Sequence, residues 1–458
     1  MSTTDFDAVV LGAGFAGLSA ATALSERGRR VLVLEAASRL GGRAASFRDG
    51  VTGELVDNGQ HVLFGCYHET RRFLARIDAA AGLRVAPDLD VVSVTPEGES
   101  TRFVCPSLPP PLNLLAGVLE WEALGWRDRL AVLRLAGPLR LARRELLRGD
   151  VRAASDDETV TSWLVRHGQT SRIRDLLWEP LALAALNQSP DVAAAPTFVR
   201  ALAMMAGSTP SDAAVALPLR PLGELYAEPA RRFIEGRGGE VRLATAGRLR
   251  VAGGRLAVDI GEQPLTVDTV ISAVPWFALN DVFGDAPPVG MESTCEVARR
   301  MEPSPIVTVN LWLDRPVVDR PFVGLPGRTM QWVFDKAQLF GGTTSHLSLV
   351  SSGASTLGNA STETLITRAT DEVRAALPAA ADAVLTRATV VREPRATFSL
   401  APGQPPRPGT RTAVDGLFLA GDWTDTGLPA TIEGAVVSGH RAAAASLARV
   451  AGATGRVA

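Results

Sequence analysis

Three glycines and one acid near the start of the chain have the types and spacing for cofactor chemistry. Gly12, Gly14 and Gly17 stand in the G-x-G-x-x-G spacing. The apolar run Val9-Val10-Leu11 precedes them, and a helical stretch from Leu18 to Arg27, closed by Gly28, follows. Gly12 permits a tight turn, Gly14 lets a diphosphate reach the backbone, and Gly17 lets strand and helix approach closely. The helix N-terminus, with Ala16 in its turn, offers free N–H groups and partial positive charge to that diphosphate. A second apolar run, Val31 to Leu34, ends at Glu35, placed to accept hydrogen bonds from a ribose diol. Strand, glycines, helix, strand and terminal acid in one compact unit predict a dinucleotide site.

Further along, Ala36-Ala37-Ser38-Arg39-Leu40-Gly41-Gly42-Arg43 sets two glycines between two arginines. That composition predicts a loop folded over a diphosphate, with Arg39 and Arg43 supplying charge and Gly42 supplying backbone N–H groups. The stretch from Asp57 to His68 packs an acid, two amides, two histidines and two glycines around apolar residues, as a pocket wall does. Gly59, Gln60 and His61 are expected on its cofactor side. At the other end of the chain, Val414 to Ala420 reads as a strand ending in Gly421-Asp422, and a helix starts near Thr431 and Ile432. An acid at that strand end can bind a sugar-like chain, and closure of the sheet by this segment brings Asp422 near Gly12 and Glu35.

The elements that must position these residues are legible in outline. Strands at Gly238–Thr245 and Val267–Val274 flank a meander of Arg248–Val251 and Arg255–Val258, turning at Gly253-Gly254 and Gly261. Strands at Ile306–Leu313 and Ser345–Val350, with a helix over Thr362–Leu377, predict a second region. Asp156 to Met205 reads as helical, with Asn187 as a C-cap. The fold class expected is α/β, a discontinuous Rossmann-type nucleotide domain joined to a mixed α+β substrate domain. Its pieces are 1–105, 220–290 and 400–458 for the first domain, and 106–219 and 291–399 for the second.

Within the second domain, the stretch 108–148 changes character. Leu112, Leu114, Leu115, Val118, Leu119 and Trp121 are strongly apolar. Arg127, Arg129, Arg134, Arg140, Arg143, Arg144 and Arg148 then face only Asp128 and Glu145, with Pro138 expected to kink the helix. Local basic excess in a chain of net charge -2 favours contact with an anionic bilayer surface over ordinary packing. The near-neutral balance speaks against nucleic acid. Three scattered cysteines and five histidines give neither a disulfide framework nor a metal spacing, so no metal is expected. With no signal-like start and no transmembrane run, the chain reads as cytoplasmic, peripheral on the inner face of the cell membrane.

Gly12, Gly14, Gly17, Glu35, the Arg39–Arg43 loop and Gly421-Asp422 together resemble the amine oxidase and phytoene desaturase superfamily of FAD enzymes, over almost the full chain. Asp57-Asn58-Gly59-Gln60-His61 with Gly65-Cys66-Tyr67, Leu183 to Asn187, and Leu225 to Ala230 are similar to the hydroxysqualene dehydroxylases, the squalene-associated FAD-dependent desaturases of hopanoid synthesis. The resemblance implies FAD as cofactor, Glu35 on the adenosine ribose and Asp422 near the ribityl chain and diphosphate. The chain departs from the family where a strand usually offers a valine to the adenine. It reads Ala246-Gly247-Arg248 here, with Gly247 in the candidate cofactor set.

What the resemblance implies for activity is reductive removal of the allylic hydroxyl of hydroxysqualene, giving squalene. The hydroxyl leaves as water once protonated, and flavin N5 delivers hydride to the allylic cation. Candidate proton donors are His61, Tyr67, Asp57 and Glu433, and Phe64 and Trp423 are candidate faces for the cation. Flavin amine oxidases carry a lysine that holds a water at the flavin, so Lys336, the single lysine, is weighed for that role, although its setting reads as a loop. The alternatives are a carotenoid desaturase and, from another class, a non-redox isoprenoid carrier on the same scaffold.

Overall fold

The computed structural model describes residues 6–147, 154–284, 286–342 and 345–454; Arg148 of the basic stretch lies outside them. Its organising element is a five-stranded parallel sheet whose strands run, in spatial order, 240–242, 31–34, 8–11, 270–272 and 417–419. The apolar runs form its centre: every residue of Ala8–Leu11 and Val31–Leu34 is buried. Such unbroken apolar strands suit a sheet covered on both faces. Because Val270–Ser272 pairs with Ala8–Leu11 on one side and Leu417–Leu419 on the other, the first and last strands end one strand apart. That register carries Gly421-Asp422 toward the glycine turn after Leu11.

Two helices seal one face. Phe15–Glu26 starts within the glycine turn, and Gly28 beyond its end takes φ +74°. The C-terminal helix, Ile432–Thr454, crosses it so closely that a Cβ on Gly439 would stand 2.2 Å from the Ala16 carbonyl oxygen. The other face carries the meander Gly247–Ala252, Arg255–Ile260 and Gln263–Val267. Gly247 is a packing requirement, since a Cβ there would lie 2.8 Å from both Leu11 Cδ2 and Leu34 Cδ1.

The second sheet has seven strands, in the order 385–398, 303–313, 345–352, 332–335, 322–324, 90–94 and 100–104. Residues 90–104, which the sequence groups with the nucleotide unit, thus pair into this large sheet through Ser93 and Gly324. Helix Thr362–Ala376 packs on the face that buries Val307, Val309 and Leu311. The helical region contains Leu112–Glu120, Trp126–Ala131, Ala136–Leu146, Val160–Arg166, Glu179–Leu186 and Ala195–Met205. The break expected at Pro138 falls earlier, in a tight turn at Val132–Leu135, and Pro138 sits in the first turn of the next helix, where proline is tolerated. Asn187 is the expected C-cap, left-handed at φ 52°. Among the described residues no helix is long and apolar enough to cross a membrane.

Candidate active site

A single cavity of about 810 Å³ runs from the glycine turn to the helical region. Gly12, Gly14, Ala16, Glu35, Ala36, Gly42, Arg43, Gly59, Gln60, His61, Tyr67, Gly247, Gly421, Asp422, Thr431 and Ile432 all line it. Gly17, Arg39, Asp57 and Glu433 do not line it.

At the nucleotide end, the Glu35 carboxylate accepts from the Ala13 N–H at 2.7 Å and the Ala37 N–H at 2.9 Å. Those bonds fix an acid at the cavity wall. Helix Phe15–Glu26 has Gly14 as N-cap with no capping side chain, so its first N–H groups remain for an anion. A Cβ on Gly14 would meet only the Gly41 carbonyl oxygen at 3.8 Å, so the turn leaves an open cradle of the shape a dinucleotide diphosphate needs. The residues present therefore fit FAD.

Arg43 does more than lend charge. Its guanidinium takes Asp422 in a two-point grip, one arm at 3.1 Å, and donates also to the Ala396 carbonyl at 3.0 Å. The grip ties a loop near the start of the chain to the strand end near its finish. Tyr226, within the Leu225–Ala230 stretch, holds the same loop: its hydroxyl is 3.0 Å from the carbonyl oxygens of both Gly41 and Ala44, and its ring stacks on Phe15. Burial pushes that hydroxyl well above its ordinary pKa, so it stays a donor. Asn58 completes the clasp, donating to the Arg43 carbonyl at 2.8 Å and to Glu393 at 3.2 Å. Glu393 carries no signal in the sequence, because its partner is 335 residues away.

The proton-donor candidates separate. The His61 ring lines the cavity, and burial outweighs Asp57 to bring its pKa down to about 4, so the imidazole is neutral at neutral pH. Tyr67 also lines the cavity, and burial raises its hydroxyl above the ordinary value. Asp57 sits behind the wall, accepting from Ser46 at 2.6 Å and the Leu222 N–H at 2.9 Å. Glu433 has another task. Its carboxylate accepts from the N–H groups of Glu69 and Thr70, both at 2.9 Å, and from the Thr70 hydroxyl, capping helix His68–Arg76. Arg39 is exposed, away from the cavity.

Of the two aromatic faces, Phe64 lines the cavity and Trp423 does not. Trp423 is fully buried, folded against Gly421, with its indole N–H donating to the Val274 carbonyl. Trp121, Phe277, Phe322, Trp332 and Phe334 line the space instead, alongside Leu176, Leu177 and Leu181. Lys336 opens a short helix after strand Trp332–Asp335 and lies buried behind the wall, bonded to Gln60 and 3.6 Å from Asp57.

Residues 15–447 match the family model described as flavin containing amine oxidoreductase. The hydroxysqualene dehydroxylase of Sinorhizobium fredii is 32% identical over 95% of this chain and 96% of its own. That of Rhodopseudomonas palustris is 31% identical over 95% and 96%. The 15-cis-phytoene desaturase of Solanum lycopersicum is 25% identical, over 97% of this chain and 78% of its own. Among solved structures, cyclohexylamine oxidase from Brevibacterium oxydans superimposes with a TM-score of 0.71 at 18% identity, covering 97% of this chain and 99% of that one. These likenesses agree with the glycine cradle, and the chain belongs to the flavin containing amine oxidoreductase family as an FAD-dependent oxidoreductase.

Proposed function

We propose that the protein removes the allylic hydroxyl of hydroxysqualene to give squalene. The observation that carries this reading is one cavity with two chemically distinct ends: a dinucleotide cradle, and an apolar chamber of leucines and aromatic rings. A C30 isoprenoid alcohol suits the second end, because its chain is apolar throughout and only one polar group must reach the reacting centre. The hydroxysqualene dehydroxylases among the relatives favour the same substrate.

When bound in reduced form, FAD supplies two electrons as hydride. The chain's own residues supply the rest. Apolar walls exclude water from the departing hydroxyl, and Phe64 and Phe277 offer π faces to positive charge on the allylic carbons. His61 and Tyr67 are the two titratable candidates at the wall, and a neutral imidazole there passes a proton on from a neighbour rather than storing one. The test is anaerobic incubation of the flavin-reduced enzyme with hydroxysqualene. Squalene is the expected product. Loss of hydrogen from phytoene, with no squalene formed, would instead make the protein a desaturase.

Glu35 and the basic stretch give two further expectations. Glu35→Ala removes the ribose acceptor and frees two N–H groups, so FAD should bind about 10- to 100-fold more weakly, on the scale of charged hydrogen bonds. Equilibrium dialysis of flavin checks it, and unchanged affinity would move the ribose elsewhere.

The stretch 108–147 is proposed to rest on the lipid surface. Leu112, Leu119, Trp126, Leu130, Leu133 and Leu141 are all exposed there, an apolar cluster unusual for a surface facing water. Not every arginine is free to serve. Arg129 donates to the Trp121 and Leu124 carbonyls, Arg134 to Gly168 and Arg143 to Gly207, so these three act as internal ties. Arg127, Arg140 and Arg144 are exposed on the same segment. Their joint replacement by Glu should shift the protein from anionic vesicles to the supernatant on sedimentation, because each basic residue near such a surface contributes about 1 kcal/mol. Equal sedimentation of both proteins would leave the segment as internal packing.

A further inference from the structure

One face of the large sheet changes character along its length. Close to the chamber it presents Ile306, Val350, Trp332 and Phe334, which line the cavity. Continuing down strand 303–313 with the two-residue period, the same face presents Thr308, Asn310 and Trp312. Register sets Ser348 opposite Asn310 and His346 opposite Trp312. Thr308, Asn310, His346 and Ser348 are all buried, so a polar seam runs through the interior where an apolar face would pack more simply.

The seam has an outer and an inner end. Outside is Glu54, whose side chain is 35% exposed; it accepts from the Trp312 indole at 2.8 Å and stands 3.4 Å from His346 Nδ1. His346 Nε2 is 3.1 Å from Asn310 Oδ1. Asp49 and Arg387, paired to one another, flank this end. Inside is Lys336, which contacts both Asp57 and Gln60, and then His61. His61 lines the cavity, and its Nε2 is buried with no partner among the described residues. A Cβ on Gly59 would lie 4.0 Å from that nitrogen and 3.6 Å from Thr308 Oγ1, so both atoms converge on one small space. Thr308 Oγ1 and Asn310 Nδ2 likewise have no partner among the described residues. Buried polar atoms of this kind are met by internal water, and His61 Nε2, Thr308 Oγ1 and Asn310 Nδ2 fall on this stretch.

We propose that this seam is a proton feed, running from Glu54 through His346, Asn310 and the Lys336–Asp57 pair to His61 at the cavity wall. The proposal rests on the dehydroxylation reading. In that reaction the allylic C–O bond breaks with its electron pair on oxygen. The oxygen takes up one proton and departs as water, while the carbon gains hydride from reduced flavin, which is oxidised. One proton is therefore consumed per turnover in a chamber walled by apolar side chains, and it must arrive through the protein. Burial lowers the pKa of Lys336, brings His346 down to about 3 and His61 to about 4, so each of these groups releases a proton readily once it has gained one. A Lys336–Asp57 pair kept only as scaffold accounts for none of the unpartnered atoms between it and Glu54.

The test is single-turnover reoxidation of the reduced holoenzyme by hydroxysqualene, followed through flavin absorbance in H₂O and in D₂O. Asn310→Leu and His346→Phe interrupt the seam, and Glu54→Gln removes its outer acid while keeping an acceptor for Trp312. Reoxidation should slow about 10-fold or more in the first two and several-fold in the third, less than the roughly 100-fold or more that loss of a general acid itself costs. The solvent isotope effect should rise, added imidazole should restore the rate, and flavin content should stay at the unaltered level. Wild-type rates and isotope effects in all three variants would overturn the relay alone. So would slower variants with no change in isotope effect and no rescue, which marks a structural role. Failure of the unaltered holoenzyme to form squalene would overturn the dehydroxylation reading, and the relay with it, before any variant is compared.

Discussion

Gly17→Val protein is expected to be purified colourless and to unfold at a markedly lower temperature, while Gly14→Val is expected to be colourless but to unfold near the unaltered temperature. The same side chain meets opposite surroundings three residues apart. A Cβ on Gly17 would stand 1.9 Å from the Gly12 carbonyl oxygen and 3.2 Å from Ala273 Cβ. Both neighbours belong to backbone or to a strand-end residue packed beside Leu11, so helix Phe15–Glu26 must move off the sheet. Overpacking of this kind costs about 1–3 kcal/mol or more, and it displaces the uncapped N–H groups at the start of that helix. Gly14 has φ -85° and ψ -173°, an extended conformation open to any residue. Its Cβ would meet only the Gly41 carbonyl oxygen at 3.8 Å, so valine there intrudes on the diphosphate and little else. Flavin-to-protein absorbance and thermal unfolding read the two effects separately. Full flavin in Gly14→Val would take the diphosphate out of this turn, and an unchanged unfolding temperature in Gly17→Val would refute the close contact.

That pair of glycines was legible because everything they need is local: an apolar strand before, a helix after, an acid at the end of the next strand. The meander was legible for the same reason, with Gly253 and Gly254 at positive φ between its first two strands. What escaped the sequence depends on contacts between distant parts of the chain. Glu433 reads as an acid at a helix start beside the cofactor, yet its partners, Glu69 and Thr70, are more than 360 residues away, and they turn it into a cap. Trp423 follows the cavity-lining Gly421-Asp422, but Gly421 leaves room for the indole to fold back into the core, away from the cavity. Lys336 reads as a loop residue because nothing in Phe334-Asp335-Lys336 announces Asp57 and Gln60 across the molecule. Asp422 lines the cavity, and the grip of Arg43 on it spans 379 residues and has no local signature. Residues 90–104 show the same limit at the level of a sheet, since a strand pattern does not name its neighbour.

Ala184→Trp is expected to abolish squalene formation, by about 100-fold or more, while flavin content and unfolding temperature stay close to those of the unaltered protein. Ala184 lies on helix Glu179–Leu186, one turn after Leu181, and both line the chamber. The helix turns its buried residues, Ala182, Leu183, Ala185 and Leu186, toward the core and leaves Ala184 exposed to the open space. An indole at that position therefore projects into the chamber without disturbing the packing behind it. A long isoprenoid threaded past this helix must shift, and displacement of a reacting group by even 1 Å can cost about 100-fold in rate. Chemical reduction of the flavin by a small reagent needs no such path and should proceed as before, which separates a blocked chamber from a damaged cofactor site. Tryptophan in place of Val289, which is 90% exposed and does not line the cavity, serves as the control and should leave turnover intact. If Ala184→Trp instead turned over hydroxysqualene at the unaltered rate, the substrate would have to approach by a route other than the leucine-lined helices, and the apolar surface at residues 108–147 would lose its reason to face a membrane.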